Sequence, residues 1–248
     1  SGKTTLLKLI LNEIKPDSGF IVRDKGARIA YMSQDVDLDP EVCALEVVRQ
    51  GADRVLDLAS ELAAIEEKFS DPAYYGTEKR LARLIDQQEQ VLEAYNRLGG
   101  PGLDSQIKAL LSSIGFTNDE MYLLVRQLSG GQKKLLGLAR IMIGRPDILL
   151  LDEPDNHLDL QGKELLQKII QNFPGCVVIV SHDRYFLDMV VDEILEVEGG
   201  KIFQYKGNYS EFMFEKHLRQ VRQAELYSAQ QKEISRLEQA AKRVLMWG

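Results

Sequence analysis

The order of apolar and polar positions along the chain predicts helices that alternate with a small number of strands. Apolar residues at helical spacing predict a first helix over residues 4–14, and turn-forming residues follow it from Pro16. Residues 27–32 read as a short strand. Residues 147–151 and 176–180 form continuous apolar runs, which are typical of central strands in a parallel sheet that helices cover on both faces. The pattern therefore predicts the α/β class.

The segment between the first strand and the apolar runs has a different character. Residues 44–99 contain two charged helical stretches separated by a break at residues 70–72, and we expect a helical hairpin. The apolar residues predicted to share a face are Leu58, Leu62, Ile65 and Phe69 in the first stretch and Leu81, Leu84, Ile85, Val91, Leu92, Tyr95 and Leu98 in the second. A further helix is predicted over about residues 107–114. The hairpin fits plain packing as well as a device for binding a partner.

The last quarter of the chain predicts a strand hairpin and then one long helix. Residues 193–205 read as two strands that meet at Gly199 and Gly200. From about Ser210 to the end the pattern is helical and mostly polar, with apolar residues spaced by threes and fours, namely Ile234, Leu237, Ala241 and Val244. A helix with so many polar residues cannot be a buried core element. We therefore expect it to pack on a partner or to bridge two domains.

Composition narrows the possible classes of protein. The chain has 248 residues, of which 44% are hydrophobic and 28% charged, and it contains no apolar run of the length needed to span a bilayer. Two isolated cysteines, Cys43 and Cys176, predict unpaired packing residues and a reducing, cytoplasmic location. The net charge of −7 argues against a chain that coats nucleic acid over its whole surface, yet basic residues outnumber acidic ones from Lys206 onward.

A phosphate-binding loop is predicted at the start of the chain. Gly2 and the N–H groups of the first helical turn, which includes Thr5, are suited to cradle a phosphate. Lys3 would pair with the β- and γ-phosphates, and Thr4 would offer its hydroxyl to Mg²⁺. Taken alone, so short a string also fits chance.

Polar residues follow each of the three predicted strands. Asp152 is placed to hold Mg²⁺ through water, and Glu153 is placed to accept a proton from an attacking water. His182 could contact a γ-phosphate, and Gln34 could orient water and complete the Mg²⁺ shell. The acidic pair by itself also fits an acidic helix N-terminus.

A second anion site is predicted where Leu128 and the string Ser129, Gly130, Gly131 and Gln132 open a helix over residues 133–143. The two glycines have no side chains, so a triphosphate can approach the backbone closely. In isolation the string also fits a flexible turn with a helix cap.

In this order, the strings GKTT, YMSQ, LSGGQ, ILLLDEP, NHLD and SHD resemble the nucleotide-binding cassette of the ABC superfamily. The resemblance implies a P-loop NTPase fold, ATP and Mg²⁺ as ligands, and ATPase activity. It implies that Ser129 to Gln132 act on ATP held by a second cassette, whereas Lys3, Thr4, Gln34, Asp152, Glu153 and His182 act on this cassette's own nucleotide. Asp159 is included among the implied nucleotide-binding residues.

Residues 148–159, 179–188 and 205–210 resemble the ABC-F branch, which carries two cassettes on one chain and no membrane domain. This resemblance implies action on the ribosome beside tRNA and rRNA, as a translation factor or a protection factor against antibiotics. Asp155 replaces the usual Thr and Leu135 replaces a common Arg, which leaves the subgroup open. We expect a cassette over residues 1–205, with an inserted helical region at about 44–145 that includes the arm, and the first half of a coiled-coil linker over 206–248.

The resemblance further predicts that the chain is part of a longer protein. The strands and the adenine-stacking aromatic that begin such cassettes are not in this sequence, and Trp247 and Gly248 fall inside the expected linker. We therefore expect weak ATP binding by the chain alone. Two alternatives stay open, an ATPase subunit of a membrane transporter and a DNA-associated ABC ATPase.

Overall fold

The computed structural model describes residues 2–71, 74 and 76–246, with side chains described up to residue 232 and at Ile234. The chain forms two compact units, Gly2–His182 and Asp183–Gly248. The first unit contains helices α1 (Lys3–Leu11), α2 (Ala44–Gln50), α3 (Asp53–Phe69), α4 (Glu78–Arg97), α5 (Leu103–Ser113), α6 (Gly130–Met142) and α7 (Leu160–Gln171), and strands β1 (Ile29–Met32), β2 (Ile148–Asp152) and β3 (Cys176–Val180). The predicted α/β class is confirmed.

The three strands form one parallel sheet with the order β1-β2-β3. Met32 pairs with Leu151, and Asp152 pairs with Val180, so the carboxyl ends of all three strands meet at one edge. Leu149, Leu150 and Leu151 are fully buried, which confirms the apolar run as a central strand. The second run differs from the expectation: β3 is half-buried because, among the described residues, it pairs with a strand on one side only.

The main hydrophobic core joins α2, α5 and α6. Val48, Ile107, Leu111, Leu136 and Ala139 are among its fully buried residues. Gly51 sits against α6 so closely that an added Cβ atom would lie 1.8 Å from the carbonyl oxygen of Arg140. This packing fixes the helix that carries the Ser-Gly-Gly-Gln string.

The predicted helical hairpin is formed by α3 and α4 alone, because residues 44–50 form the separate helix α2, which belongs to the main core. The hairpin has a small core of its own. Leu58, Leu62, Ile65 and Phe69 of α3 all belong to it, together with Leu84 and Val91 of α4. The prediction for α4 was wrong at three positions, since Leu81, Ile85 and Leu92 are exposed. A single partner helix covers only a narrow stripe of α4, and these three residues lie beside the stripe at 84 and 91.

The second unit contains α8 (Arg184–Val190), β4 (Glu193–Glu198), β5 (Lys201–Lys206) and α9 (Tyr209–Met246). β4 and β5 pair antiparallel around Gly199 and Gly200, which confirms the predicted strand hairpin. Tyr205 packs edge-to-face on Phe212 with ring centroids 4.9 Å apart, which anchors the start of α9.

The long polar helix is confirmed as α9, with 38 residues. Ile234 is exposed, whereas the side chains of Leu237, Ala241 and Val244 lie outside the described residues, as do Trp247 and Gly248. None of the helices in the described part of the chain combines the length and the apolar character that a bilayer crossing requires.

Candidate nucleotide site

The predicted phosphate loop opens α1. Gly2 precedes the helix with φ 77°, a left-handed conformation that glycine adopts without strain, and its carbonyl accepts the Leu6 N–H at 3.0 Å. Lys3, Thr4 and Thr5 form the first turn, whose N–H groups have no partner within the helix. Leu7 is buried and anchors this turn to the fold.

Thr4 and Asp152 meet at the carboxyl edge of the sheet. The Thr4 hydroxyl donates to Oδ2 of Asp152 at 3.0 Å, and the Tyr31 hydroxyl lies 3.5 Å from the same oxygen. Burial and the nearby Asp152 carboxylate both raise the pKa of Tyr31. Tyr31 precedes Met32 in β1 and was not among the predicted site residues, although it belongs to the YMSQ string.

The oxygen ligands at this edge of the sheet fit Mg²⁺. Among the described residues no group of three or more His, Cys, Asp and Glu side chains could hold a metal. One hydroxyl and one carboxylate, Thr4 and Asp152, instead match the way Mg²⁺ binds through few protein oxygens together with phosphates and waters. Gln34 is exposed in the loop after β1, beside the β2 end that carries Asp152.

Glu153 has a fixed backbone and a partly buried carboxylate. Its φ of 49° is left-handed, which is uncommon outside glycine. Its N–H donates to the Val180 carbonyl at 2.7 Å, and its carbonyl accepts from Lys134 Nζ at 2.7 Å. The carboxylate accepts a hydrogen bond from the Asn156 amide and lies 3.4 Å from Nε2 of His182. The His182 side chain is 73% exposed and that of Glu153 is 19% exposed, so the pair opens to solvent on the histidine side.

The Ser-Gly-Gly-Gln string begins α6 with a reciprocal cap. Ser129 Oγ accepts from the Gln132 N–H at 3.2 Å, and Gln132 Oε1 accepts from the Ser129 N–H at 3.0 Å. The Gln132 amide also donates to Glu120 at 2.9 Å. Hydrogen bonds, first from the Thr117 N–H and then from its hydroxyl, lower the pKa of Glu120.

The predicted residues therefore fall into two groups. Direct contacts join Thr4 to Asp152 and Glu153 to His182 at one sheet edge, and Gly2, Lys3 and Gln34 belong to segments that border it. Ser129, Gly130 and Gln132 lie with Glu120, while a Cβ atom at Gly131 would be 3.5 Å from the His157 carbonyl oxygen.

Asp159 caps α7 by accepting the Gly162 N–H at 2.8 Å. Its role in nucleotide binding stays a prediction, as do the roles of the other residues.

Three further residues were missed by the sequence analysis as parts of the site. Lys134 and Asn156 donate hydrogen bonds to Glu153, and the charge of the buried Asp155 acts on Lys134. Asn156 lies in the NHLD string and Asp155 was noted as a departure, but no pattern linked either to the Glu153 carboxylate or backbone. Lys134 is one of two consecutive lysines, and only the fold distinguishes the buried one.

A parallel sheet, a helix that opens with Gly-Lys-Thr and two strand-end acidic residues define a P-loop nucleotide-binding cassette. The family model described as ABC transporter matches residues 1–156, and a second model described as ABC transporter matches residues 195–248. The chain belongs to this ABC ATPase family, and the relatives it resembles are of the ABC-F type.

Three curated relatives each match nearly the whole chain. YdiF of Bacillus subtilis is 32% identical over 96% of this chain and 36% of its own length. YheS of Escherichia coli K12 is 33% identical over 96% of this chain and 35% of its own. The energy-dependent translational throttle protein EttA of Escherichia coli K12 is 30% identical over 95% of this chain and 41% of its own. The chain thus spans well under half the length of these relatives.

One solved structure supports the fold. An inward-facing metal-chelate type ABC transporter matches with a TM-score of 0.53 and 18% identity, over 83% of this chain and 67% of its own. At this identity the likeness concerns the architecture alone.

Proposed function

We propose that this chain binds and hydrolyses Mg²⁺-ATP at the carboxyl edge of its parallel sheet. The observation that carries the proposal is the contact of Thr4 with Asp152, next to the Glu153–His182 pair, at the opening of α1. Membership of the ABC ATPase family agrees with it. Open α/β sheets bind ligands at this edge, where helix N-termini favour phosphate.

Each residue of the edge has a separate task in this proposal. The Lys3 ammonium and the N–H groups of α1 hold the phosphates, and Lys3 offsets charge that develops on them. The Thr4 hydroxyl, the Asp152 carboxylate and Gln34 are the residues that would hold Mg²⁺. The bound ion supplies positive charge to the phosphate oxygens.

Glu153 is the proposed general base. Its carboxylate is partly buried and accepts a hydrogen bond from Asn156, and this bond holds one oxygen in place. The other oxygen, Oε1, faces His182 and is available to take a proton from a water aligned with the γ-phosphate. His182 is exposed enough to contact that phosphate itself.

The Ser129 to Gln132 group acts across an interface in this account. Its reciprocal cap takes up the N–H groups of Ser129 and Gln132, so the N–H groups of Gly130 and Gly131 at the start of α6 would bind the anion. We infer that the group closes on ATP held by a second cassette, so that binding of ATP brings two cassettes together and hydrolysis releases them.

The wider role we propose is action on the ribosome. The name of the relative EttA, a translational throttle protein, supports it. From residue 206 to the end the sequence has eight Lys and Arg against five Glu, an excess that suits contact with RNA phosphates. On this proposal the α3–α4 hairpin is the arm, and residues 206–248 are a linker beside tRNA and rRNA.

Sedimentation with ribosomes tests the wider role. The complete gene product carrying Glu153→Gln should enter the ribosome pellet with ATP and stay in the supernatant without it. The matched control adds Lys3→Ala, which removes phosphate binding and should abolish the ATP effect. ATP-bound protein that remains in the supernatant would refute the ribosome role. Recovery with membranes would favour a transporter subunit, and salt-sensitive binding to duplex DNA would favour a DNA-associated ATPase.

A further inference from the structure

Two residues of opposite charge are buried near Glu153. Lys134 is only 5% exposed, and Asp155 is only 4% exposed. Together with Asp152 they are the buried charged residues among those the structure describes. Charged groups are seldom buried unless a partner compensates the loss of water. Neither residue is assigned a role in the hydrolysis of ATP proposed above.

Lys134 reaches the backbone of Glu153. It projects from α6, two residues after the Gln132 that caps this helix, and its Nζ donates to the Glu153 carbonyl at 2.7 Å. The Glu153 N–H is held on the other side by the Val180 carbonyl. A left-handed conformation is unfavourable for a glutamate, so it persists only where its surroundings hold it. Lys134 supplies one of the contacts that hold it, and the Asn156 N–H donates to the same carbonyl at the longer distance of 3.4 Å.

Asp155 supplies the opposite charge. Burial lowers the pKa of Lys134, and the charge of Asp155 is the strongest of the influences that oppose this shift, ahead of Asp35, Glu153 and Asp152. Oδ1 of Asp155 is buried and, among the described atoms, has no hydrogen-bond partner. An atom in that condition is costly unless a nearby positive charge offsets it. Lys134 is the buried positive charge that can offset it.

We propose that Lys134 is a positioning residue for Glu153, that Asp155 is its counter-charge, and that the pair ties the position of α6 to that of the Glu153 carboxylate. The proposal rests on the proposed role of Glu153 as the base. Since α6 begins with Ser129 to Gln132, Lys134 passes a shift of this string directly to the Glu153 carbonyl, in addition to the close approach of Gly131 to the His157 carbonyl. A movement of Ser129 to Gln132 would then also move the proposed base, Glu153.

A double-mutant cycle tests the pair in the complete gene product. The variants are Lys134→Met, Asp155→Asn and the two combined, with Lys168→Met as a matched control at an exposed lysine of α7. Each single variant leaves one member of the pair charged without the other, and we expect Tm to fall by about 5 °C or more. The double variant should regain most of this loss because neither position then carries a charge.

The rate of hydrolysis separates positioning from structural support. We expect Lys134→Met to lower kcat roughly 10- to 100-fold with KM for ATP within about threefold, because a small displacement of a base is costly. The double variant should regain Tm but stay slow, since it still lacks the contact with the Glu153 carbonyl. A second double variant, Lys134→Gln with Asp155→Asn, restores an N–H donor at position 134 without a charge. It should recover part of kcat.

Three outcomes would overturn the inference. Additive losses of Tm would show that the two charges do not form a pair. A double variant that regains kcat together with Tm would make the pair purely structural, as would equal kcat values for the Met and Gln double variants. If Glu153→Gln hydrolyses ATP at the parent rate, the proposed function fails instead, and the coupling in Tm still decides whether the pair exists.

Discussion

The hydroxyl of Thr4 donates a hydrogen bond to Oδ2 of Asp152 at 3.0 Å, across 148 positions of the sequence. One residue opens the first helix and the other ends the central strand. The contact therefore joins the two segments from which a Mg²⁺ site with phosphate oxygens can be completed. Neither the Thr4 hydroxyl nor the Asp152 carboxylate would indicate a Mg²⁺ site if it stood alone.

Thr4→Val should raise the concentration of Mg²⁺ needed for half-maximal ATP hydrolysis. Valine keeps the shape of threonine but removes the oxygen that would bind the ion, and we expect roughly a tenfold or larger loss of Mg²⁺ affinity. A Mg²⁺ titration of steady-state hydrolysis measures the change.

Thr77→Val is the matched control for this titration. The Thr77 hydroxyl accepts from the Arg80 N–H at the start of α4, far from the sheet edge in the helical hairpin. Its loss should cost about 1 kcal/mol of helix stability and leave the Mg²⁺ dependence as it is. The same Mg²⁺ dependence in Thr4→Val and the parent would exclude Thr4 from the metal site.

The Glu120–Gln132 contact should weaken in acid. The folded pKa of Glu120 is below its unfolded value because Thr117 and Gln132 donate to the ionised carboxylate. Its contribution to stability is therefore complete above the unfolded pKa of about 4.3 and is lost as pH falls through the lower folded pKa. The difference in free energy of unfolding between the parent and Glu120→Gln should shrink below about pH 4.3. Denaturant unfolding at several pH values measures it, and a difference that does not change with pH would contradict the assignment.

The hairpin of α3 and α4 should depend on one stripe of contacts. Ile65→Ala empties a fully buried position and should cost about 2–5 kcal/mol. Ile85→Ala truncates the same residue type at an exposed position of α4 and should change stability by only about 0.5 kcal/mol. Hydrogen exchange of the α3 and α4 amides reports both variants. Equal effects would mean that the exposed residue is covered in solution.

The sequence was sufficient to predict most of the elements because their signals are local. The apolar run that became β2, the turn at Gly199 and Gly200, and the polar pattern of α9 each depend on neighbouring residues. The face of α4 was assigned too broadly, since the pattern around Leu84 and Leu92 does not say how wide a stripe the partner helix covers.

The contacts of the candidate site could be predicted only in part. Asp152 and Glu153 were recognisable from the strand that they end, and the register of the sheet then places them near Thr4 and His182. Lys134 could not be recognised, because its contact with the Glu153 carbonyl depends on how α6 packs beneath the sheet. Packing between elements that are distant in sequence leaves no periodic signal in either of them.

The most direct test of the ATPase account is steady-state ATP hydrolysis with Mg²⁺ by the complete gene product and by its Glu153→Gln variant, measured side by side. Glutamine keeps the size of the side chain but cannot take a proton from water, so we predict that ATP still binds and that turnover falls by about 100-fold. Turnover by the variant at the parent rate would contradict the account, because Glu153 could not then be the base.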